Sequence, residues 1–244
     1  MIRLRDVSLE LGRPILERVC LDVEQGCLFG LVGPGASGKS VLLKTVAGLM
    51  KPQSGSVEVG GVEVTHLDDQ GLASLRRGIG MQFQNNALFD FMTVADNVAF
   101  PLRRLFDLDA EEIDRRVSGR LSAVGLPGFE QRLPAGLSGG QKKRVAVARA
   151  TVTGAQILFY DEPAAGLDPV SSQKVFDLLR AEQQENGTTV IMVSSDLERL
   201  LPMTDRVGMM LEGRLIFEGT TREAMAATDP YVQQFMHGNP EGPL

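Results

Sequence analysis

The most informative group of residues is the segment 33–40, which reads GPGASGKS and fits the phosphate-loop pattern G-x-x-x-x-G-K-S/T. It follows an apolar run and precedes a helical pattern, as a loop that cradles phosphate must. Glycines let the backbone N–H groups turn toward a phosphate, Lys39 adds positive charge, and the Ser40 hydroxyl is a typical Mg²⁺ ligand. The residues predicted to hold the phosphates are Gly33, Pro34, Gly35, Ala36, Ser37, Gly38, Lys39, Ser40 and Val41.

A second chemical feature is a pair of carboxylates at the end of an apolar run. Residues 157–160 read ILFY and lead directly into Asp161 and Glu162. Open α/β sheets bind ligands at the carboxyl ends of their strands, so both side chains are expected near the phosphates. We predict that Asp161 holds Mg²⁺ and that Glu162 orients and deprotonates an attacking water.

The third feature is the segment LSGGQ at 137–141. Ser138 and Gln141 have the S-x-x-Q spacing of a capping box, which would start a helix even without a ligand. Gly139 and Gly140 are poor residues for a first helical turn, but they let a phosphate approach the free N–H groups closely. The segment therefore predicts a second anion site on the same chain.

The surrounding sequence predicts an α/β fold that would position these residues. Apolar segments alternate with helical patterns in the second half, which indicates a parallel sheet covered by helices, and a mostly helical stretch interrupts this alternation. Strands are predicted at 2–9, 15–23, 27–32, 56–59, 157–160, 189–194 and 206–211, and helices at about 39–50, within 93–152, and at 170–185 and 197–201.

The composition limits the partners and the cellular location that fit this chain. The 244 residues include 25 Lys+Arg and 31 Asp+Glu, a formal net charge of -6, which argues against nucleic acid as a partner. Cys20 and Cys27 match neither a zinc site nor a disulfide framework and are expected to be buried. No apolar run approaches the ~20 residues of a membrane-spanning helix. We therefore expect a cytosolic chain that reaches a membrane only through a partner.

The phosphate loop, LSGGQ and ILFYDE, in this order, resemble the nucleotide-binding subunits of ABC transporters over nearly the whole chain. The resemblance implies ATP with Mg²⁺, and an integral membrane permease as partner. It also implies a second copy, paired head to tail, whose LSGGQ closes over the γ-phosphate. Gln84 matches the glutamine that contacts Mg²⁺ and water, and Asp168, in AGLDP, matches the loop through which the two copies communicate.

The same resemblance predicts the domain organisation. An ABC-type ATPase domain would span residues 1–228, with a mostly parallel core sheet, an N-terminal antiparallel β subdomain and a helical subdomain inserted at about 88–152. Residues 229–244 would form a tail. Its apolar residues lie beyond a domain that is already complete, so we expect a contact with the second copy.

Two positions depart from the family pattern. Ser195 occupies the place of a histidine that would contact the γ-phosphate, and a hydroxyl cannot place an imidazole there. Slow hydrolysis is therefore expected. Leu11 stands where the family commonly has an aromatic residue that stacks on adenine, so base recognition should be weaker.

Within the superfamily, ALFDFMTVADNVAFPLRR and the ending YVQQFMHGNPEGPL resemble the ATPases of bacterial MCE-type, or Mla, phospholipid-trafficking systems. This implies phospholipid as cargo, a permease, an MCE-domain lipid-binding protein, a small regulatory subunit, and a place at the cytoplasmic face of the inner membrane. Gln141 departs from the Met that is frequent in these relatives. Two alternatives stay open, namely the ATPase of an amino-acid or ion importer and a soluble iron–sulfur assembly ATPase.

Overall fold

A computed structural model describes residues 1–244 as two sheets with helices around them. The strands, in chain order, are β1 (Ile2–Glu10), β2 (Pro14–Val23), β3 (Leu28–Val32), β4 (Ser54–Val59), β5 (Val62–Glu63), β6 (Ile79–Gln82), β7 (Ile157–Asp161), β8 (Thr189–Val193), β9 (Arg206–Leu211) and β10 (Arg214–Thr220). The α-helices are α1 (Lys39–Val46), α2 (Asp69–Arg77), α3 (Val94–Leu105), α4 (Ala110–Ala123), α5 (Gly139–Thr151), α6 (Pro169–Asn186), α7 (Leu197–Leu200), α8 (Thr221–Met225) and α9 (Pro230–His237).

The larger sheet has the strand order β10-β9-β3-β8-β7-β6. All neighbouring strands in it are parallel except β10, which runs antiparallel to β9. Every residue of β3, β7 and β8 is buried, which explains why these strands read as continuous apolar runs rather than alternating ones. The carboxyl ends of β3 and β7 therefore meet at one edge of the sheet.

The smaller sheet is antiparallel, in the order β2-β1-β4-β5. It packs on one face of the larger sheet around α1, through side chains that include Leu4, Leu21, Phe29 and Leu42. On the other face, α3, α4 and α5 pack against α6 and the sheet in a second apolar core. The predicted fold, with its parallel core sheet, antiparallel β subdomain and helical insertion, is confirmed.

Several predicted elements have different bounds. Helix α1 ends at Val46 instead of near residue 50, because Gly48 has a φ of +66° and a Cβ there would lie 2.9 Å from Leu72 Cδ2. Helix α2 was not predicted, since it is short and buries no residue completely, and Leu72 and Leu75 are its only large apolar residues. Strand β10 was not predicted either, because most of its residues are only half buried.

The two cysteines differ in environment. Cys27 is buried as expected, and burial raises the pKa of its thiol to about 11. Cys20 is exposed, which corrects the expectation of burial, and its Sγ accepts a hydrogen bond from the Asp6 N–H at 3.3 Å. The reason is the alternation along β2, where Val19 and Leu21 face the core and Cys20 faces outward.

The tail folds back onto its own subunit through α9. Val232 and Met236 are buried and join the core beside Ala224, and the partly buried Phe235 packs against the same core. The expectation that these apolar residues find no core to join is therefore wrong for all three. Gln234 is also buried, accepts a hydrogen bond from the Leu244 N–H at 2.8 Å and thereby holds the last residues in place. Tyr231 stays 37% exposed. None of the helices has both the length and the apolar character of a membrane span.

Candidate active site

The phosphate loop connects the carboxyl end of β3 with the first turn of α1. Gly33 has a φ of +138°, and a Cβ at this position would lie 2.1 Å from Met210 O. Gly38 has a φ of +101°, and its Cβ would lie 2.8 Å from Ile15 O. Both positions therefore require glycine, and the backbone can curve closely enough to present its N–H groups to a phosphate.

Lys39 is the first residue of α1 and lies against the loop. Its Nζ donates hydrogen bonds to Gly33 O at 2.8 Å, to Pro34 O at 2.6 Å and to Ser37 Oγ at 3.2 Å. Burial lowers the pKa of Lys39, while the nearby carboxylates Glu162 and Asp161 act in the opposite direction. The loop thus holds a cation with no carboxylate in direct contact, which suits it to a polyanionic ligand.

Ser40 and Asp161 form an oxygen-rich pair. The Ser40 hydroxyl donates to Asp161 Oδ1 at 2.8 Å and joins α1 to the end of β7. Asp161 is 2% exposed and makes no ion pair with any basic residue. A buried carboxylate that lies beside a hydroxyl and has no basic side chain as partner fits Mg²⁺, which prefers hard oxygen ligands.

Glu162 follows directly and has an unusual backbone. Its φ is +49°, uncommon for a residue with a side chain, and its N–H donates to Val193 O at 2.9 Å. The Ser195 hydroxyl, just beyond β8, donates to Glu162 Oε2 at 3.1 Å. The sequence predicted Ser195 near the γ-phosphate, and the structure adds a contact with the proposed general base that the sequence did not suggest.

Gln84 lies two residues beyond β6 and is exposed. Its backbone carbonyl accepts a hydrogen bond from Lys143 Nζ at 2.5 Å, while its side chain makes no hydrogen bond. Lys143 lies on α5 and was not predicted as a site residue. The sequence contained a signal for it, because Lys143 precedes Val147 by four residues and so occupies the buried stripe of the helix.

The LSGGQ segment begins α5 with the predicted capping box. Ser138 Oγ accepts from the Gln141 N–H at 3.3 Å, and Gln141 Oε1 accepts from the Ser138 N–H at 2.9 Å. Gly139 and Gly140 form the first turn and face Leu167 and Ser171. None of these hydrogen bonds reaches the phosphate loop, so one subunit does not bring the two predicted anion sites together.

Asp168 and Leu11 make no hydrogen bond to the phosphate loop. Asp168 caps α6, where its Oδ1 accepts from the N–H groups of Val170 and Ser171 at 3.0 Å each. The hydrogen bonding from Ser171 lowers the pKa of this carboxyl group. Leu11 lies in the turn between β1 and β2 and is 56% exposed. Its predicted contact with a base therefore stays a prediction.

A groove of 430 Å³ opens beside the segment that follows Gln84. Its walls come from β6, α3 and α5, and the Phe89 ring lies 4.9 Å from that of Phe100 and 5.9 Å from that of Phe91. Phe91 is 80% exposed. Arg149 fixes the loop wall by donating to Asn86 O and Ala87 O. An exposed aromatic cluster at the rim of an apolar groove is typical of a surface that binds a protein partner.

Comparison with known proteins identifies the family. The profile described as ABC transporter matches residues 16–165. MlaF of Haemophilus influenzae, an intermembrane phospholipid transport system ATP-binding protein, is 33% identical and covers 100% of this chain and 93% of its own length. The Arabidopsis thaliana protein TRIGALACTOSYLDIACYLGLYCEROL 3, chloroplastic, is 37% identical and covers 100% of this chain and 75% of its own length. The methionine import ATP-binding protein MetN of Caulobacter vibrioides is 39% identical over 91% of this chain and 68% of its own length.

A solved structure agrees with these relatives. The dimeric ATP-binding cassette MJ0796 in a post-hydrolysis state, bound to ADP and Pi, superposes with a TM-score of 0.85 and 31% identity. The match covers 91% of this chain and 99% of the cassette. The chain belongs to the ABC transporter family and is one of its ATP-binding, ATP-hydrolysing subunits.

Proposed function

We propose that this chain is the motor of an ABC transporter that moves phospholipid between the membranes of a bacterial envelope. The observation that carries this proposal is the alignment with the phospholipid-transport protein MlaF over the whole chain and 93% of MlaF, which includes the tail. The alignment with the Arabidopsis protein, which is named after a diacylglycerol lipid, also spans the whole chain.

The second candidate is the ATPase of an amino-acid or ion importer. MetN of Caulobacter vibrioides has a higher identity, 39%, and favours this alternative. However, the alignment leaves out part of this chain and about a third of MetN. The ATP-binding motifs are common to both classes of transporter, so the substrate has to be determined through the partners.

The site geometry supports a specific division of roles in hydrolysis. The loop 33–38 and Lys39 would bind the phosphates, while Ser40, Asp161 and the Gln84 side chain would hold Mg²⁺. When bound, this ion neutralises charge that develops on the phosphates. Glu162 accepts a proton from the attacking water, and Ser195 orients the Glu162 carboxylate.

A second copy of the chain completes the site. The capping box uses the N–H groups of Ser138 and Gln141, so the N–H groups of Gly139 and Gly140, in the first turn of α5, are the ones that would bind the γ-phosphate held by the other subunit. Asp168 caps α6 near the same surface and would sense the second copy. A head-to-tail dimer gives both segments a function.

The groove lined by Phe89 and Phe100 is the proposed docking site for the permease. Binding there would place the chain at the cytoplasmic face of the inner membrane without a membrane span of its own. The lipid-transport proposal adds an MCE-domain lipid-binding protein and a small regulatory subunit to the complex. Nucleic acid is not a proposed partner, since the net charge is -6.

The exposed side of the tail is a proposed contact with the second copy. Truncation at residue 228 would also remove the buried Val232 and Met236, so it would destabilise the subunit itself. The change Tyr231→Ser removes only a partly exposed side chain and should weaken ATP-dependent pairing several-fold without lowering the melting temperature. Val62→Ser, at a residue 42% exposed on the antiparallel sheet, is the matched control. Unchanged pairing by Tyr231→Ser would contradict a role of this residue in the dimer.

The lipid proposal is tested by purifying the tagged chain from detergent-solubilised membranes and analysing the bound proteins and lipids. We expect an integral membrane protein to co-purify with the chain. The amount of bound phospholipid should rise in proportion to the amount of complex that is recovered. Recovery of a methionine-binding protein would support the importer instead. A soluble complex with labile iron would support the iron–sulfur alternative.

A further inference from the structure

Lys143 is a buried cation that the proposed mechanism does not use. The residue is 5% exposed, and burial lowers the pKa of its ammonium group. It takes part in none of the ion pairs of the chain, and both of its hydrogen-bond acceptors are backbone carbonyls. Burying a cation without a carboxylate partner is costly, so the contacts that it makes call for an explanation.

Those contacts connect three parts of the site. Lys143 Nζ donates to Gln84 O at 2.5 Å and to Glu162 O at 3.2 Å. Gln84 and Glu162 follow the adjacent strands β6 and β7, whereas Lys143 belongs to α5, the helix that begins with the LSGGQ segment. One ammonium group thus joins the backbone of two proposed catalytic segments to the helix that is proposed to meet the other subunit.

We propose that Lys143 is a positioning residue that fixes the backbone at Gln84 and Glu162 relative to α5. The proposal rests on the roles proposed above for Gln84, Glu162 and residues 138–141. Because the two carbonyls bind the same ammonium group, a movement of α5 toward a second copy would be passed on to both segments together. Closure of the dimer would in this way bring the segment of Gln84 and the segment of the general base Glu162 into position at the same time.

The neighbouring Arg144 offers a matched control. It donates from the same helix to two backbone carbonyls, Val124 O at 3.1 Å and Gly125 O at 3.0 Å, but these lie at the end of α4, away from the site. Lys143→Met keeps the aliphatic chain and removes the donors, and Arg144→Met does the same at the control position. Lys143→Arg retains both charge and donors.

In the assembled transporter, Lys143→Met should lower kcat about tenfold with KM for ATP changed less than about threefold, since misplacing catalytic groups by ~1 Å can cost up to 10²-fold in rate. Lys143→Arg should recover most of this loss, and Arg144→Met should keep the wild-type kcat. A Lys143→Met variant with wild-type kcat would overturn the proposal. Equal kcat losses in Lys143→Met and Arg144→Met would also overturn it, because they would show a general effect on α5.

Amide hydrogen exchange of the full chain without nucleotide gives a readout independent of activity. Lys143→Met should speed exchange at the Asn86 and Ala165 amides, which are hydrogen-bonded within the two tied segments. Arg144→Met should instead speed exchange near Leu126. Unchanged exchange at Asn86 and Ala165 would overturn the proposal. Failure of the proposed mechanism is distinguishable, because it would appear as an active Glu162→Gln variant and would leave the exchange result unaffected.

Discussion

Glu162→Gln is expected to abolish ATP turnover while ATP binding is kept. The carboxylate lies next to the buried Asp161 and accepts a hydrogen bond from Ser195, in a position suited to taking a proton from water. General-base assistance is typically worth ~10² to 10⁴ in rate, and an amide cannot supply it. The measurement is phosphate release from the assembled transporter. It is combined with nucleotide binding and with the fraction of the subunits that are dimeric in the presence of ATP.

The contrasting variant is Lys39→Ala, which should lose nucleotide binding itself. Its ammonium group is held against the phosphate loop by three hydrogen bonds, and charged contacts with phosphate are among the stronger hydrogen bonds in proteins. Glu162→Gln should instead leave an ATP-bound dimer that lasts longer than that of the wild type. Near-wild-type turnover by Glu162→Gln would remove this residue from the role of base.

Variants of Ser195 should distinguish whether this hydroxyl positions Glu162 or only stands in place of a histidine that would contact the γ-phosphate. Loss of its hydrogen bond to Glu162 should make Ser195→Ala about fivefold slower, since a net hydrogen bond contributes ~1 kcal/mol. Ser195→His should be faster than the wild type. An imidazole contact with the γ-phosphate would add ~1 to 3 kcal/mol, or roughly 5-fold to 150-fold in rate.

Both variants are compared in phosphate release from the whole transporter, so that a contact supplied by a partner chain is present in every sample. A Ser195→Ala variant as fast as the wild type would show that the hydroxyl does not position Glu162. A Ser195→His variant that is no faster, beside a much slower Ser195→Ala, would identify Ser195 as an adapted contact rather than a lost histidine.

Much of the site could be predicted because its chemistry is local in sequence. The phosphate loop has its glycines and Lys39 within eight consecutive residues, and Asp161 follows a fully buried strand. The capping box of Ser138 and Gln141 is likewise a property of four adjacent residues. Features that depend only on neighbouring residues, such as this loop and this helix cap, can therefore be predicted from the sequence alone.

The parts that were missed depend on contacts between distant segments. The Lys143 contacts join residues 59 and 19 positions apart, and the contact between Ser195 and Glu162 spans 33 positions. The tail was misjudged for a similar reason. Val232 and Met236 complete a core whose members, apart from the nearby Ala224, lie far away in the sequence, so only the packed structure shows that this core has room for them.

The most direct test of the proposed function is lipid movement by the purified complex of this chain with its permease, reconstituted into phospholipid vesicles. Transfer of a fluorescent phospholipid to or from acceptor vesicles would be followed with and without ATP, for the wild type and for Glu162→Gln. We predict ATP-dependent transfer by the wild type and none by Glu162→Gln. Transfer that does not respond to ATP, together with ATP-dependent uptake of methionine by the same complex, would contradict the proposed phospholipid function.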